Sequence, residues 1–422
     1  MVSTNAAAAR AELHRLVKIQ ALTCAHAARL AEEAARSCLA STDELDDAAL
    51  LLCELATLPD AALARHGVDG IFRQAIEGMA DAFEPRLCDR YIEFFARVVE
   101  CCRRLPAAAW LDQRLRESGL HNEQDLIRRA LGLRRIRPSN RGVKKILVLS
   151  RVTLGADVAI TSVVLRKVML AFPEAPVILL GSQKAAQLFA GERRVETRRV
   201  EYPRGGGLLD RLAAWPAVVD AARQELQGLR AGEYLVVDPD SRLTQLGMLP
   251  VVADESAYLF FESRSFARPG LESLAELTAA WLAETLGPDT TPLRPWVSLP
   301  PEAAEFAQRL RAQAGAQCVA VNLGVGDNPG KRIADPFEER LLAELLRRGW
   351  RIFLDQGEGD EEMSRAGRLL ARLREAGRRV AKIEEGGALP TADAEVVAWR
   401  GSLAGFGALI GASDLYIGYD SA

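Results

Sequence analysis

The stretch Lys145-Ile146-Leu147-Val148-Leu149-Ser150-Arg151-Val152-Thr153-Leu154-Gly155-Ala156-Asp157 decides the fold. A short apolar run, Ile146 to Leu149, followed by turn-forming residues reads as a strand buried on both faces, the pattern of a parallel sheet. Gly155 permits a tight strand-to-helix turn. Asp157 then falls in the first turn of the next helix, at the carboxyl end of a central strand, where open α/β sheets hold their ligands. An aspartate at that position also reads as a plain helix cap.

Downstream the rhythm repeats. Residues 177–180, 198–202 and 234–237 read as strands, and 158–172, 208–229 and 271–286 as helices. A proline-rich break from Gly287-Pro288 through Pro300-Pro301 precedes a second series, with strands at 318–323, 351–354 and 415–419 and helices at 337–348, 361–375 and 403–411. Such alternation implies crossover connections and doubly wound sheets. The expected architecture is α/β, with two facing Rossmann-like lobes, 143–290 and 300–422, and a cleft suited to a nucleotide-bearing ligand.

Upstream, residues 1–140 read as helix after helix. Leu13, Leu16, Val17, Ala21 and Cys24 recur at helical spacing, as do Leu45, Ala49, Leu52 and Leu55, then Leu87, Tyr91, Phe95, Val98 and Cys102. Ser41-Thr42-Asp43-Glu44 fits a capping box. An all-α domain with no fixed-period repeat is expected, tied to the lobes by the basic linker 137–142. Its Leu, Ala and Cys stripes are enough for a core, so it is expected to fold alone and to bind an acceptor or mediate self-association. A length of 422 residues suits about three domains.

Lys+Arg 54 against Asp+Glu 57 leaves a formal charge of -3, which calls for neither nucleic acid nor an acidic membrane as partner. The first residues form no apolar leader, and stretches such as 159–172 are broken by Arg166 and Lys167, short of the ~20 residues of a span. A cytoplasmic protein is expected, with at most peripheral membrane contact. Six of the seven cysteines lie in the first 102 residues without a C-x-x-C pattern, and read as buried, reduced thiols. All four histidines also lie in the helical region. No metal and no cofactor is expected.

In the second lobe Gly324-Val325-Gly326-Asp327-Asn328-Pro329-Gly330-Lys331-Arg332 follows a strand. Amides of such a loop face anionic oxygens, and Lys331 offers a point charge to a phosphate. Two other readings stay open. The glycine spacing is close to a dinucleotide fingerprint, with Asp355 ending the next strand, although Pro329-Gly330 intervene before a helix expected to start with Asp335 as cap and Pro336 at its first position. The loop also reads as merely structural. Near the end, Tyr419-Asp420-Ser421 places an acid and a hydroxyl after a strand, which is common turn chemistry as well.

Taken in order, these pieces resemble glycosyltransferase family 9, the bacterial heptosyltransferases, over roughly residues 143–422. Thr153, Leu154, Gly155, Asp157 and Thr161 match the family's opening loop, with Ala156 as one extra residue between Gly155 and Asp157. Lys331-Arg332 match its second-lobe basic pair, although Ile333-Ala334-Asp335-Pro336 replace the usual Trp-Pro. Gly357-Glu358-Gly359-Asp360-Glu361-Glu362 looks like its acidic stretch, and residues 403–412 with Tyr419-Asp420-Ser421 like its closing helix and signature, with Ala422 where glycine is usual. Family members continue beyond that point, so the second lobe is expected to be incomplete.

The resemblance implies a two-lobed fold of the GT-B type and an inverting, metal-independent transfer of a heptose-like sugar from a nucleoside diphosphate to an acceptor hydroxyl. It implies Asp157 as catalytic base, Thr153, Gly155 and Thr161 in the acceptor-lobe loop, and Lys331, Glu361, Asp420 and Ser421 on the donor, Glu361 being preferred narrowly over Glu362. ADP-heptose as donor and a glycan, lipid-linked or protein acceptor in cell-envelope chemistry are the corresponding partners. A catalytically inert sugar- or protein-binding relative and a dinucleotide-dependent oxidoreductase are the alternatives.

Overall fold

A computed structural model describes residues 6–40, 45–137, 142–203, 205–288, 292–315, 317–326 and 329–419. The Ser41–Glu44 capping box, most of the basic linker, and Asp327, Asn328, Asp420 and Ser421 lie outside the described residues. The chain forms two compact units, one holding 1–152, 156–182 and 196–296, the other 153–155, 183–195 and 297–422.

The first unit begins with helices, among them Ala6–Lys18, Cys24–Ala40, Leu45–Ala56 and Pro85–Arg103. Their starts follow ordinary capping chemistry: Asp60 accepts from the amides of Ala62 and Leu63 at the head of Ala61–Asp69, and Pro85 sits where a missing N–H costs nothing. Helix Pro85–Arg103 turns Tyr91, Phe95, Val98 and Cys102 inward, as their spacing predicts, and Phe95 and Val98 are fully buried. Each such side chain contributes roughly 1.5–3 kcal/mol by leaving water.

The sheet of this unit has five strands, β1 (Lys145–Leu149), β2 (Val177–Gly181), β3 (Val195–Arg199), β4 (Tyr234–Asp238) and β5 (Tyr258–Phe260), in the order β3-β2-β1-β4-β5. β1 pairs in parallel with both neighbours, Ile146 opposite Val177 on one side and Leu235 on the other. Every residue of β2 and β4 is buried, as two-sided coverage requires. The strand order reverses between β1 and β4, so the loops leaving these two strands flank a switch point.

The helical region and this sheet share one core. Leu13, Leu30, Leu52, Phe95 and Leu133 belong to the same buried cluster as Leu147, Leu149, Leu180 and Val236. Polar links join them too: Tyr91 Oη donates to Gln245 Oε1 at 3.3 Å, and Gln245 Nε2 donates to Tyr202 Oη at 3.2 Å. Arg211 lies 4.1 Å over the ring of Phe72, and Gly247, at φ 72°, leaves room for Leu133.

The second unit has strands β6 (Cys318–Asn322), β7 (Arg351–Asp355), β8 (Val380–Glu384), β9 (Val396–Arg400) and β10 (Leu415–Gly418) in the order β10-β6-β7-β9-β8. Its residues alternate between two cores, Cys318, Ala320 and Phe353 on one face and Val319, Val321, Ile352 and Leu354 on the other. Here the reversal falls between β6 and β10, which brings the loop after β6 beside the end of β10.

Several expected elements differ in detail. The strand expected at 198–202 lies at Val195–Arg199; Val200 and Tyr202 remain buried after the chain leaves the sheet, and their apolar signal drew the reading past its end. The helix expected over 208–229 is two, Leu208–Leu212 and Ala214–Glu225, because Pro216 has no amide to offer the carbonyl of Leu212. The helix after β6 begins at Phe337 with Pro336 in the cap position, while Asp335 pairs with Arg332 instead of capping. β5, β8 and β9 had no counterpart in the sequence reading.

Candidate functional site

Two groups of residues stand at carboxyl ends of strands beside a switch point, one in each unit. In the first, the chain leaves β1 at Ser150 and enters a helical turn at Leu154. Asp157 is 2% exposed, and its carboxylate folds back over the strand end. It accepts from Ser150 Oγ at 2.7 Å, from the Arg151 amide at 2.7 Å and from Thr161 Oγ1 at 2.8 Å. Burial pushes its pKa up, and the two hydroxyls and the amide pull it partly back. The helix already starts three residues earlier, so Asp157 is no N-cap.

Asp157–Thr161 is a π-helical turn, with the Ser162 amide bonding the Asp157 carbonyl five residues back. One residue more than an α-helical turn holds is absorbed in this way. The turn lets Asp157 face Ser150 and Thr161 together. Thr153 and Gly155 are half-buried in the preceding turn.

The sequence reading passed over Asp238-Pro239-Asp240, an Asp-x-Asp at the end of β4. Both carboxylates are buried and engaged by the protein itself. Asp238 accepts from the Ser241 amide at 2.7 Å, Thr244 Oγ1 at 2.5 Å and Tyr258 Oη at 2.6 Å, and burial raises its pKa. Asp240, at φ 66°, pairs with Arg151 at 2.8 Å and with Arg264. Ser241 Oγ donates to the Ser150 carbonyl at 2.6 Å, which stitches the ends of β1 and β4 together. The visible clue was two acids closing an apolar run, where turn chemistry is the usual reading.

In the second unit, Asn322 ends β6 and donates from Nδ2 to Asp355 Oδ2 at 2.8 Å, while its Oδ1 accepts from the Gly324 amide at 2.8 Å. Asp355, at the end of β7, also accepts from the Gly357 amide at 3.2 Å. Burial raises the Asp355 pKa; that amide bond opposes the rise and the nearby Glu362 charge adds to it. Glu362 lines a narrow pocket with Gly324, Asp355, Gly357 and Arg365. A Cβ on Gly324 would stand 2.8 Å from Glu362 Oε1, and one on Gly357, at φ 78°, would stand 2.5 Å from Oε2. Glu361 is exposed on the same helix, so the structure brings Glu362, not Glu361, to these glycines.

Lys331 ends a short turn, Pro329–Lys331, and is exposed with no hydrogen bond or ion pair among the described residues. Its neighbour Arg332 is committed elsewhere, bonding Glu338 at 2.9 Å and 3.2 Å. Glu338 is 1% exposed and also accepts from Tyr419 Oη at 3.1 Å, with Arg365 at 3.7 Å. The basic pair thus divides into an anchored arginine and an available lysine. Asp420 and Ser421, outside the described residues, follow Tyr419 directly. Among the described residues no group of three or more His, Cys, Asp or Glu could hold a metal, and no helix is long and apolar enough to cross a membrane.

No protein-family model matches the chain, and no curated protein does. Solved structures do. A glycosyl transferase of family 9 from Veillonella parvula DSM 2008 matches at 16% identity and TM-score 0.46, over 65% of this chain and 75% of that one. The E. coli heptosyltransferase WaaC with ADP matches at 18% identity and TM-score 0.43, over 66% of this chain and 82% of its own. E. coli ADP-heptose lps heptosyltransferase II matches at 14% and 0.41, over 66% and 79%. The chain is therefore similar, over about two thirds of its length, to solved structures of a family 9 glycosyl transferase and of two heptosyltransferases.

Proposed function

We propose that this protein is an inverting glycosyltransferase that moves a sugar from a nucleoside-diphosphate donor to an acceptor hydroxyl. The observation that carries the reading is the group after β6 and β7: an exposed Lys331 with no ion pair among the described residues, on a glycine-containing loop, and Glu362 set between Gly324 and Gly357. A lysine suits a diphosphate that gains charge as it leaves, and a carboxylate beside two glycines suits the hydroxyls of a ribose. Glu362 takes the part first given to Glu361. Asp157 acts as the base that removes the acceptor proton, its raised pKa making it a stronger base than an ordinary aspartate. Asp420 and Ser421 join the donor side, and Thr153, Gly155 and Thr161 shape the acceptor loop. The donor is ADP-heptose or a close relative, and no metal is required.

The dinucleotide alternative loses ground on geometry. In that fingerprint the glycines open the helix, whereas here a short turn and the segment up to Pro336 lie between Gly326 and the helix at Phe337. A second reading, a binding relative without turnover, is favoured by one observation: Asp157 is buried and already accepts three hydrogen bonds. Calorimetric titration with ADP, ADP-sugars and NAD tests the first point. Tight binding of NAD with none of ADP would overturn the transferase. Binding of the ADP-sugar with no detectable transfer or hydrolysis would leave the inert relative standing.

A further inference from the structure

Glu362 sits against the turns after β6 and β7 so closely that a Cβ on Gly324 or Gly357 would collide with its side chain. The two turns keep their distance from it by different means. Helix Asp360–Glu375, which carries Glu362, follows β7 directly, with only residues 356–359 between them, so the Gly357 side is fixed by the chain itself. Gly324 belongs to the exit of another strand, and its distance from the helix has to be set by contacts across the fold.

One side chain makes that connection. Arg365 lies three residues after Glu362, on the same face of the helix, and lines the same narrow pocket. It is 6% exposed, and its Nη2 donates at 2.5 Å to the carbonyl of Leu323, the residue next to Gly324. Its Nε lies 3.7 Å from Oε2 of Glu338, in the first turn of helix Phe337–Arg347. A guanidinium holds its donors in one fixed plane and meets a carbonyl and a carboxylate at once, which an ammonium on a flexible stem does not do with the same geometry. Apolar contact is supplied separately: Leu323, Leu369 and Leu373 belong to one buried cluster, so the helix stays on the sheet without Arg365. What the arginine adds is the height of Glu362 over Gly324.

We propose that Arg365 is a positioning residue that sets the Glu362 carboxylate for the hydroxyls of a ribose, and thereby decides whether the site prefers a ribonucleotide to its deoxy counterpart. The inference rests on the donor-side role of Glu362 given under the proposed function. Arg365 does not touch the nucleotide; its partners are Leu323 and Glu338. A hydroxyl bonds a carboxylate only over about 2.5–3.0 Å, so a Glu362 displaced by about 1 Å loses the discrimination while still lying in the pocket.

The test is calorimetric titration of the full chain with ADP and with 2′,3′-dideoxy-ADP, which keeps the base and the diphosphate but lacks both hydroxyls. The wild type should bind ADP about tenfold more tightly or better, the factor for a hydrogen bond to a charged group. Glu362→Ala should bind the two alike. Arg365→Met, which keeps the apolar stem, should do the same: ADP weakens to the level of the dideoxy compound, whose own affinity does not change. Adding Arg365→Met to Glu362→Ala should cost nothing further. Arg365→Lys, which keeps the charge, should also lower the preference for ADP, and it gives the same readout if Arg365→Met fails to melt cooperatively. A purely structural arginine would weaken both nucleotides together. That result, or a wild-type preference retained in the variants, overturns the proposal and leaves the donor reading intact. If the wild type binds both nucleotides alike, the ribose role of Glu362 falls and the proposal with it; if it binds neither, the transferase reading falls as well.

Discussion

Asp157 and Lys331 sit at opposite extremes of environment, and their substitutions should read out differently. Asp157→Asn should lower turnover at least ~100-fold with little change in donor affinity, as loss of a general base does. In the wild type, activity should fall as pH drops through a pKa lying above the ordinary ~3.9 of aspartate, since the base must be ionised. Stability runs the other way. A carboxyl whose folded pKa is raised contributes stability below the unfolded value and loses it as pH rises through the folded one. Denaturant titrations from pH 4 to pH 7 should therefore show the wild type losing ground to Asp157→Asn as pH increases. Lys331→Ala should weaken nucleoside-diphosphate binding by about 1.5–3 kcal/mol without altering the melt. Arg332→Ala should do the reverse, lowering the melting temperature, because it strands the buried Glu338 without its closest cation.

At the scale of elements, the turn after β7 should tolerate no side chain. Gly357→Ala combines a left-handed backbone with a Cβ pressed on Glu362, and should cost about 1 kcal/mol or more of stability while also weakening ADP binding; Glu362→Ala should weaken ADP binding and Glu361→Ala should not. A calorimeter and a melting curve separate these outcomes. The same elements show what was legible beforehand. β1, β2, β4, β6 and β7 announced themselves because two-sided burial writes a continuous apolar run. β8 escaped because Val380-Ala381-Lys382-Ile383-Glu384 is an edge strand, half in water, with charges interleaved. Glu361 and Glu362 are adjacent, and which of them faces Gly357 depends on where the helix starts, a matter of one residue at a boundary that sequence patterns fix poorly. The π turn was invisible for a related reason: periodicity shows that a helix exists, not where one residue is absorbed in it.

For the whole molecule, the shared core sets the expectation for dissection. Apolar stripes alone suggested a helical region able to fold by itself, but Phe95 and Leu133 lie in one cluster with Leu147 and Val236. Expressed alone, residues 1–140 should keep helical circular dichroism but melt without a sharp transition. Residues 143–422 should aggregate, because they lose the helical half of a cluster that Leu147, Leu180 and Val236 share. A cooperative melt of the isolated helical piece, together with a soluble lobe fragment, would make the region an independent module. The single core also has a consequence in time. The helices are synthesised before the strands that cover them, and at about 5–20 residues per second some 6–24 s separate the emergence of residue 140 from that of Phe260 at the end of β5. Through that interval Phe95 and Leu133 lack the sheet residues that share their cluster, so the nascent chain carries apolar surface that the finished fold buries.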